Sequence, residues 1–251
     1  MQQMNTTNNS PIAPIANNSD LVMVFDTETT GLLPKKPANA SSTNVPLEEY
    51  PYITQMSFIV FDVKNYVVVH YYNAYIRIPS HIIISPEVEA ITHITNAKLE
   101  MYGIDIKEAL LELYKWYFKV KAVVAHNLYF DGKMVQTELR RHYKDMLYDT
   151  QEVIQLFNSA YAQYKNIVLY CTMLASHRAC NIEILRNGTY YRKFPKLMEL
   201  YEYLFGKTPE DLHNSLVDSL VCLKCYLKFE HKIDIHPAKY RHMLKAVMKL
   251  K

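Results

Sequence analysis

The chain has 251 residues, of which 49% are hydrophobic, and its formal net charge is only +3. This length fits one domain with an appendage, and the apolar fraction is ample for a core. No window approaches the 18 apolar residues that indicate a membrane span, and the start lacks a basic and then apolar signal sequence. We therefore expect an intracellular protein of a reducing compartment, cytoplasm or nucleus, rather than a secreted one.

Strand and helix patterns follow one another along the chain. Residues 1–20, rich in Asn, Ser, Thr and Pro, predict a disordered lead. Apolar and β-branched runs predict strands at 21–25 and 121–127 and a hairpin over 52–62 and 66–78. Helical spacing and capping residues predict helices at 85–90, 104–120, 130–142, 194–206 and 213–229. This order favours an α/β fold with a mixed sheet flanked by helices, and the long loop at 34–51 is typical of a functional or flexible segment.

The end of the chain, residues 231–251, is basic. Six lysines and arginines between 232 and 251 oppose Asp234 alone. A solvated helix face accounts for this pattern, and a nucleic-acid contact or a docking element is the alternative.

Two of the four cysteines, Cys222 and Cys225, have the spacing of a metal-binding pair. They lie in an apolar helical pattern, which favours reduced thiols in the core. A zinc protein is the alternative, but it would need a second pair, and Cys171 and Cys180 are too far apart in sequence to supply one convincingly.

The stretch "FDTETTGL" at 25–32 places two carboxylates at the end of the first predicted strand. Alternate residues of a strand share a face, so Asp26 and Glu28 should project together. Neighbouring carboxylates repel each other, and a divalent cation removes that conflict. Oxygen ligands select Mg²⁺ or Mn²⁺. A solvated acidic pair at a strand end is the structural alternative.

Two further acidic motifs lie at the edges of predicted elements. "AHNLYFD" places Asp131 after a strand, where it could also serve as a helix cap, and "HNSLVDS" places His213 and Asp218 around the start of a helix. His126 precedes Asp131 by the same spacing, so it is a rival for any role given to His213.

Together these three motifs resemble those of the DnaQ-like 3′–5′ exonucleases of the DEDDh type, which include proofreading subunits. The segments "PYITQMSFIVFD", "ITHIT" and "KLMELYEYLFG" extend the resemblance over about residues 21–230. Ile94, Ser215 and Ser219 replace residues that are usual in the family. The resemblance implies a ribonuclease H-like fold with a five-stranded mixed sheet, and an exonuclease domain over 21–230.

The resemblance also implies hydrolysis of DNA or RNA from the 3′ end, releasing nucleoside 5′-monophosphates with two divalent cations, Mg²⁺ or Mn²⁺. The implied metal ligands are Asp26, Glu28, Asp131 and Asp218, and His213 is the implied general base. The implied substrate contacts are Thr27, Thr29, Gly31, Leu32, His93 and Asn127. For Leu32, an ordinary core position is the alternative.

The expected partner is single-stranded nucleic acid or a nucleic-acid 3′ end, with no membrane. Because the chain has no polymerase region, a role in proofreading or repair would need a polymerase or another replication protein. The alternative function is a catalytically weak exonuclease-like module that binds nucleic acid or scaffolds a polymerase.

Overall fold

The computed structural model describes residues 20–35, 45–146, 151–209 and 214–235. Four predicted features therefore fall wholly or mostly outside the described residues. They are the lead up to residue 19, the centre of the 34–51 loop, the predicted base His213, and residues 236–251 of the basic tail.

A five-stranded mixed sheet forms the centre of the fold, in the order β3-β2-β1-β4-β5. Antiparallel pairing joins β1 to β2 and β2 to β3, whereas β4 pairs in parallel with both β1 and β5. A separate two-stranded sheet contains β6 and β7. The strands are β1 Leu21–Thr29, β2 Ile53–Asp62, β3 Val67–Tyr75, β4 Ala122–Ala125, β5 Val168–Cys171, β6 Glu183–Arg186 and β7 Thr189–Arg192.

Helices cover both faces of the main sheet. Phe25 and Met23 of β1 pack on one face with apolar residues of the third and fourth helices, and Val22 and Val24 pack on the other face with the last helix. The helices are α1 Pro86–Thr92, α2 Asn96–Tyr102, α3 Ile106–Tyr117, α4 Leu128–Arg141, α5 Tyr143–Met146, α6 Ser159–Tyr164, α7 Thr172–Cys180, α8 Leu197–Phe205 and α9 Ser215–His231. The predicted α/β class with a mixed five-stranded sheet flanked by helices is confirmed.

Strand β1 continues four residues beyond its predicted end at Phe25. Asp26 pairs with Ser57 of β2 and Glu28 pairs with Gln55, so polar partners extend the ladder to Thr29. The two carboxylates are therefore held by the strand rather than by the loop after it.

Helix α4 begins at Leu128, two residues before its predicted start. Asn127 adopts a left-handed conformation with φ 73° and serves as the N-cap, a conformation that asparagine tolerates better than most residues. Asp131 therefore lies in the first turn of α4 and does not cap it.

Within the described residues, no helix has the length and apolar character needed to cross a membrane.

Candidate active site

Three carboxylates meet where β1 packs against α9. Asp26 and Glu28 occupy the same face of β1 as Val22 and Val24, the face that α9 covers, and Asp218 lies in the first turn of α9. One carboxylate oxygen from each of the three lies within 4.8 Å of the others. We call these three residues the acidic cluster.

A buried hydrogen bond fixes the start of α9 beside the acidic cluster. Ser57 and Ser215 lie 2.5 Å apart, oxygen to oxygen, and Ser57 is the β2 partner of Asp26. The Ser57 hydroxyl donates to Asn73 Oδ1 at 2.9 Å, which leaves Ser215 as donor to Ser57. Since Asp218 follows Ser215 by less than one helical turn, this bond also positions the Asp218 carboxylate.

The fourth carboxylate, Asp131, reaches β1 from the opposite helix layer. Its Oδ1 accepts hydrogen bonds from the Thr27 backbone N–H at 3.0 Å and from the Thr27 hydroxyl at 2.8 Å. Asp131 is only 3% exposed, and Thr27 is 7% exposed. The Thr27 hydroxyl therefore orients Asp131, and the contact of Thr27 with a substrate stays a prediction.

Burial and mutual repulsion make these carboxylates hard to ionise. Burial, and then the charges of Asp131, Asp218 and Glu28, hold the pKa of Asp26 well above its ordinary range. Burial, followed by Asp218 and Asp131, raises the pKa of Glu28 to about 8. Burial raises the pKa of Asp131 to about 7, although the two Thr27 hydrogen bonds oppose that shift.

No cationic side chain offsets these charges in the part of the chain that the structure describes: none of its lysines or arginines forms an ion pair with Asp26, Glu28 or Asp131. Buried charges are ordinarily paired or bound to metal ions. Converging oxygen ligands without nitrogen or sulfur suit hard divalent cations. The residues present therefore fit a divalent metal site.

His126, the rival to His213, is held in place by two hydrogen bonds. Its Nε2 lies 2.9 Å from the Pro195 carbonyl oxygen, which can only accept, so Nε2 carries the proton. Its Nδ1 lies 3.0 Å from the Thr172 hydroxyl. Burial lowers the pKa of His126 to about 4. These contacts make His126 a neutral structural side chain that joins β4 to the segment before α8.

The Thr-Gly-Leu segment after β1 is fixed by its backbone and has one highly exposed side chain. The Thr29 hydroxyl donates to the Gly31 carbonyl at 2.7 Å, and the backbone of Thr30 donates to the Tyr52 carbonyl at 2.9 Å. Leu32 is 84% exposed, so the alternative of an ordinary core position is wrong for Leu32. A side chain in that position is available to a ligand.

The remaining predicted substrate contacts lie on two separate elements. His93 is exposed and left-handed at the end of α1, with φ 56°, and it lines an open cavity of about 450 Å³ with Pro86, Glu89, Ala90 and Thr95. Asn127 caps α4 one turn before Asp131. The described geometry does not assign a substrate contact to either residue.

A second buried network, centred on Arg141, anchors the chain before β2 and was not predicted from sequence. Arg141 donates to the carbonyls of Leu47, Tyr50 and Pro51 at 2.7–3.0 Å and to Glu138 at 2.7 Å, and it stacks 3.7 Å from the centre of the Tyr52 ring. The Tyr52 carbonyl accepts a hydrogen bond from the Thr30 backbone N–H, and the Tyr52 backbone N–H donates to the Thr30 hydroxyl. Glu138 and Arg141 are three residues apart on a helix, a spacing that ordinarily indicates a surface ion pair. The burial of this pair was therefore not predictable.

The cysteines are free thiols, and Cys222 and Cys225 are buried in α9. No cysteine takes part in a metal-binding group within the residues that the structure describes. The prediction of reduced core thiols agrees with this arrangement.

A mixed five-stranded sheet with helices on both faces, bearing clustered carboxylates on its central strand, is the architecture of the ribonuclease H-like fold. The family model described as Exonuclease, RNase T, matches residues 23–226. The chain therefore belongs to this exonuclease family, and the resemblance to the DnaQ-like exonucleases is confirmed. No sequence among the curated proteins matches the chain.

Several solved nuclease structures share the fold. Exonuclease I of E. coli in complex with a dA16 oligonucleotide has a TM-score of 0.56 and 15% identity, covering 84% of this chain and 41% of that one. Exonuclease I from Methylocaldum szegediense gives 0.55 and 16%, covering 90% and 43%. Cell-death related nuclease 4 gives 0.55 and 14%, covering 85% and 64%. The chain thus spans less than two thirds of each of these proteins, and the likeness is one of fold. The comparisons do not support a polymerase partner.

Proposed function

We propose that this protein is a metal-dependent 3′–5′ exonuclease of the DEDDh type that hydrolyses single-stranded DNA or RNA ends inside the cell. The acidic cluster carries the proposal, because its three carboxylates converge beside the buried Asp131, and Asp26, Glu28 and Asp131 form no ion pair with a lysine or arginine among the described residues. Such an arrangement lowers stability unless a cation is bound. Exonuclease I of E. coli, which shares the fold, has been crystallised in complex with a dA16 oligonucleotide, and this supports the choice of substrate.

Each carboxylate has a proposed task in holding two divalent cations, Mg²⁺ or Mn²⁺. Asp26, Glu28 and Asp218 would supply the direct ligands, and Asp131, oriented by Thr27, would complete the site. When bound, the cations would neutralise charge on the phosphodiester and activate a water molecule. Because the cations would contact the phosphodiester and not the bases, the site would select an anionic backbone rather than a base sequence.

His213 is the proposed general base. It directly precedes Asn214, the N-cap of α9, and would take a proton from the attacking water, a task that suits an imidazole at neutral pH. The two hydrogen bonds that occupy the ring of His126 support the choice of His213. We also propose that Leu32 packs on the terminal base, which its exposure beyond β1 supports.

The decisive experiment compares matched DNA and RNA oligonucleotides labelled at the 5′ or the 3′ end, with Mg²⁺, with Mn²⁺ and with EDTA. We expect progressive shortening of the 5′-labelled strand and early release of the 3′ label as a mononucleotide, only with metal. Asp26→Asn should abolish shortening, whereas the matched control Glu100→Gln, at an exposed carboxylate of α2, should retain it. Internal cuts, or equal activity in Asp26→Asn, would contradict the proposal.

A further inference from the structure

The β6–β7 hairpin projects from the domain with both faces exposed. All eight strand residues are exposed, and the hairpin forms a sheet of its own. Asn187 and Gly188 connect the strands with φ values of 51° and 77°, which is the type I′ turn that fixes hairpin register. A hairpin of this size is marginal in water unless it is anchored.

The base of the hairpin is anchored next to the acidic edge of the sheet. Lys193 donates its backbone N–H to Ile182 at 2.9 Å, which closes the base, and Lys193 also forms an ion pair with Glu199. The Pro195 carbonyl accepts from His126, which follows the last residue of β4 and precedes Asp131 by five positions. The hairpin therefore leaves the domain at the end of the sheet where the carboxylates lie.

The pairing register separates the hairpin residues into two faces. Directly opposed residues share a face, and the register pairs Ile184 with Tyr191 and Leu185 with Tyr190. The first pair shares its face with Arg186 and Thr189, and we call this the Tyr191 face. The second shares its face with Glu183 and Arg192, and we call this the Tyr190 face.

Charge distinguishes the two faces. On the Tyr190 face, Glu183 lies opposite Arg192, so the two charges on that face sum to zero, although no ion pair joins them among the described residues. On the Tyr191 face, Arg186 has no acidic neighbour in the register, and none of the ion pairs among the described residues includes it. Tyr191 beside it is 53% exposed.

The surrounding segment is also basic. Five lysines and arginines between residues 177 and 196 oppose a single acid, Glu183. A protein interface could use exposed tyrosine and arginine as well, but a positive segment with an exposed aromatic ring matches the chemistry of single-strand binding, in which bases stack on rings and phosphates meet cations.

We propose that the Tyr191 face binds the single-stranded nucleic acid whose end enters the acidic cluster. Tyr191 stacks on a base, and Arg186 contacts a phosphate. This inference deepens the proposed function and rests on it for the identity of the bound strand.

The test measures binding separately from cleavage. Fluorescence anisotropy follows a 5′-labelled single-stranded DNA of about 16 nucleotides, long enough for an ordinary single-strand site, with phosphorothioate linkages at its 3′ end to prevent shortening. Tyr191→Leu keeps an apolar cross-strand partner for Ile184 but removes the ring. We expect its Kd to rise about 10-fold, the effect of losing one stacked base, and the matched control Tyr190→Leu to stay within about 2-fold.

Arg186→Gln provides a second variant that leaves both tyrosines in place. The plot of log K against log salt concentration should become less steep by about 0.7, the contribution of one phosphate contact on a single strand. Thermal unfolding and far-UV circular dichroism of all three variants confirm folding.

Four outcomes separate this inference from the proposed function. Weakened binding in Tyr191→Leu by a protein that shortens no oligonucleotide would support the hairpin site and contradict the nuclease. Metal-dependent shortening with wild-type affinity in Tyr191→Leu would overturn the hairpin site alone, and would indicate a protein partner for that face. An equal or larger loss in Tyr190→Leu would also overturn it, as would an unchanged salt dependence in Arg186→Gln.

Discussion

Glu28→Gln should stabilise the metal-free protein while it removes the stabilisation that metal gives. Burial and the neighbouring carboxylates raise the pKa of Glu28 from 4.5 to about 8. The folded state therefore holds this proton at pH values where the unfolded chain has released it. Stability in EDTA is unaffected by Glu28 below about pH 4.5, falls as the pH rises through this window, and is lowest above about pH 8.

The size of the effect follows from the same pKa. Each pH unit between the two pKa values of Glu28 lowers the free energy of unfolding by about 1.36 kcal/mol. Above pH 8 the total loss caused by Glu28 is therefore at most about 5 kcal/mol. Asp218 and Asp131 contribute to this repulsion, and the site can relax, so we expect Glu28→Gln to recover about 1–3 kcal/mol. For a chain of this length, each kcal/mol raises Tm by about 2–4 °C.

The assay is thermal unfolding in EDTA between pH 5 and pH 8, followed by titration with Mn²⁺. Wild type should gain about 2.7 kcal/mol at a metal concentration 100 times Kd, and Glu28→Gln should gain much less. Glu100→Gln, at an exposed carboxylate, should match wild type throughout. A Glu28→Gln protein less stable than wild type in EDTA at pH 8, or one with a full response to Mn²⁺, would refute the reasoning.

Three further predictions concern residues outside the acidic cluster. Thr27→Val should lower metal affinity about 10–100-fold, as loss of a contact to a metal ligand generally does, and Thr27→Ser should restore it in calorimetric titration. Arg141→Ala should lower the free energy of unfolding by about 3–5 kcal/mol because a buried charge loses its partner, while Arg140→Ala on the exposed side of the same helix should change it by less than about 0.5 kcal/mol in urea denaturation. His213→Ala should reduce kcat far more than KM for a labelled oligonucleotide. His126→Ala should mainly lower Tm, and the reverse pattern would move the base assignment to His126.

The shared face of Asp26 and Glu28 was predictable from local periodicity, whereas the approach of Asp218 was implied only by the resemblance to the exonuclease family. Alternation along β1 puts Asp26 and Glu28 on one face, because the strand continues past both residues to Thr29. The predicted end of β1, at Phe25, is too early because the last residues of the strand are polar. They belong to the strand because they pair with residues of β2, among them Gln55 and Ser57.

The contacts that orient the cluster were not predictable from local patterns. The hydrogen bond from Thr27 to Asp131 joins positions 104 residues apart, and the one between Ser57 and Ser215 joins positions 158 apart. Threonine and serine are common in strands and at helix starts for other reasons, so their types carry no sign of these partners. The β6–β7 hairpin does carry a local signal, Asn187-Gly188, but strands of four residues are too short to show an alternating pattern.

The alternation of β1 also explains how one strand can serve all four carboxylates. Its even-numbered positions, Asp26 and Glu28, face α9 and Asp218, while the intervening Thr27 faces the opposite layer and holds Asp131 through its N–H and hydroxyl. A shift of one residue in the pairing of β1 would exchange these faces and direct Asp26 into the apolar layer around Phe25. The pairing register of β1 therefore fixes the geometry of the site as well as the core. Substitutions of the carboxylates should abolish activity without loss of stability, whereas substitutions that disturb the strand should reduce both.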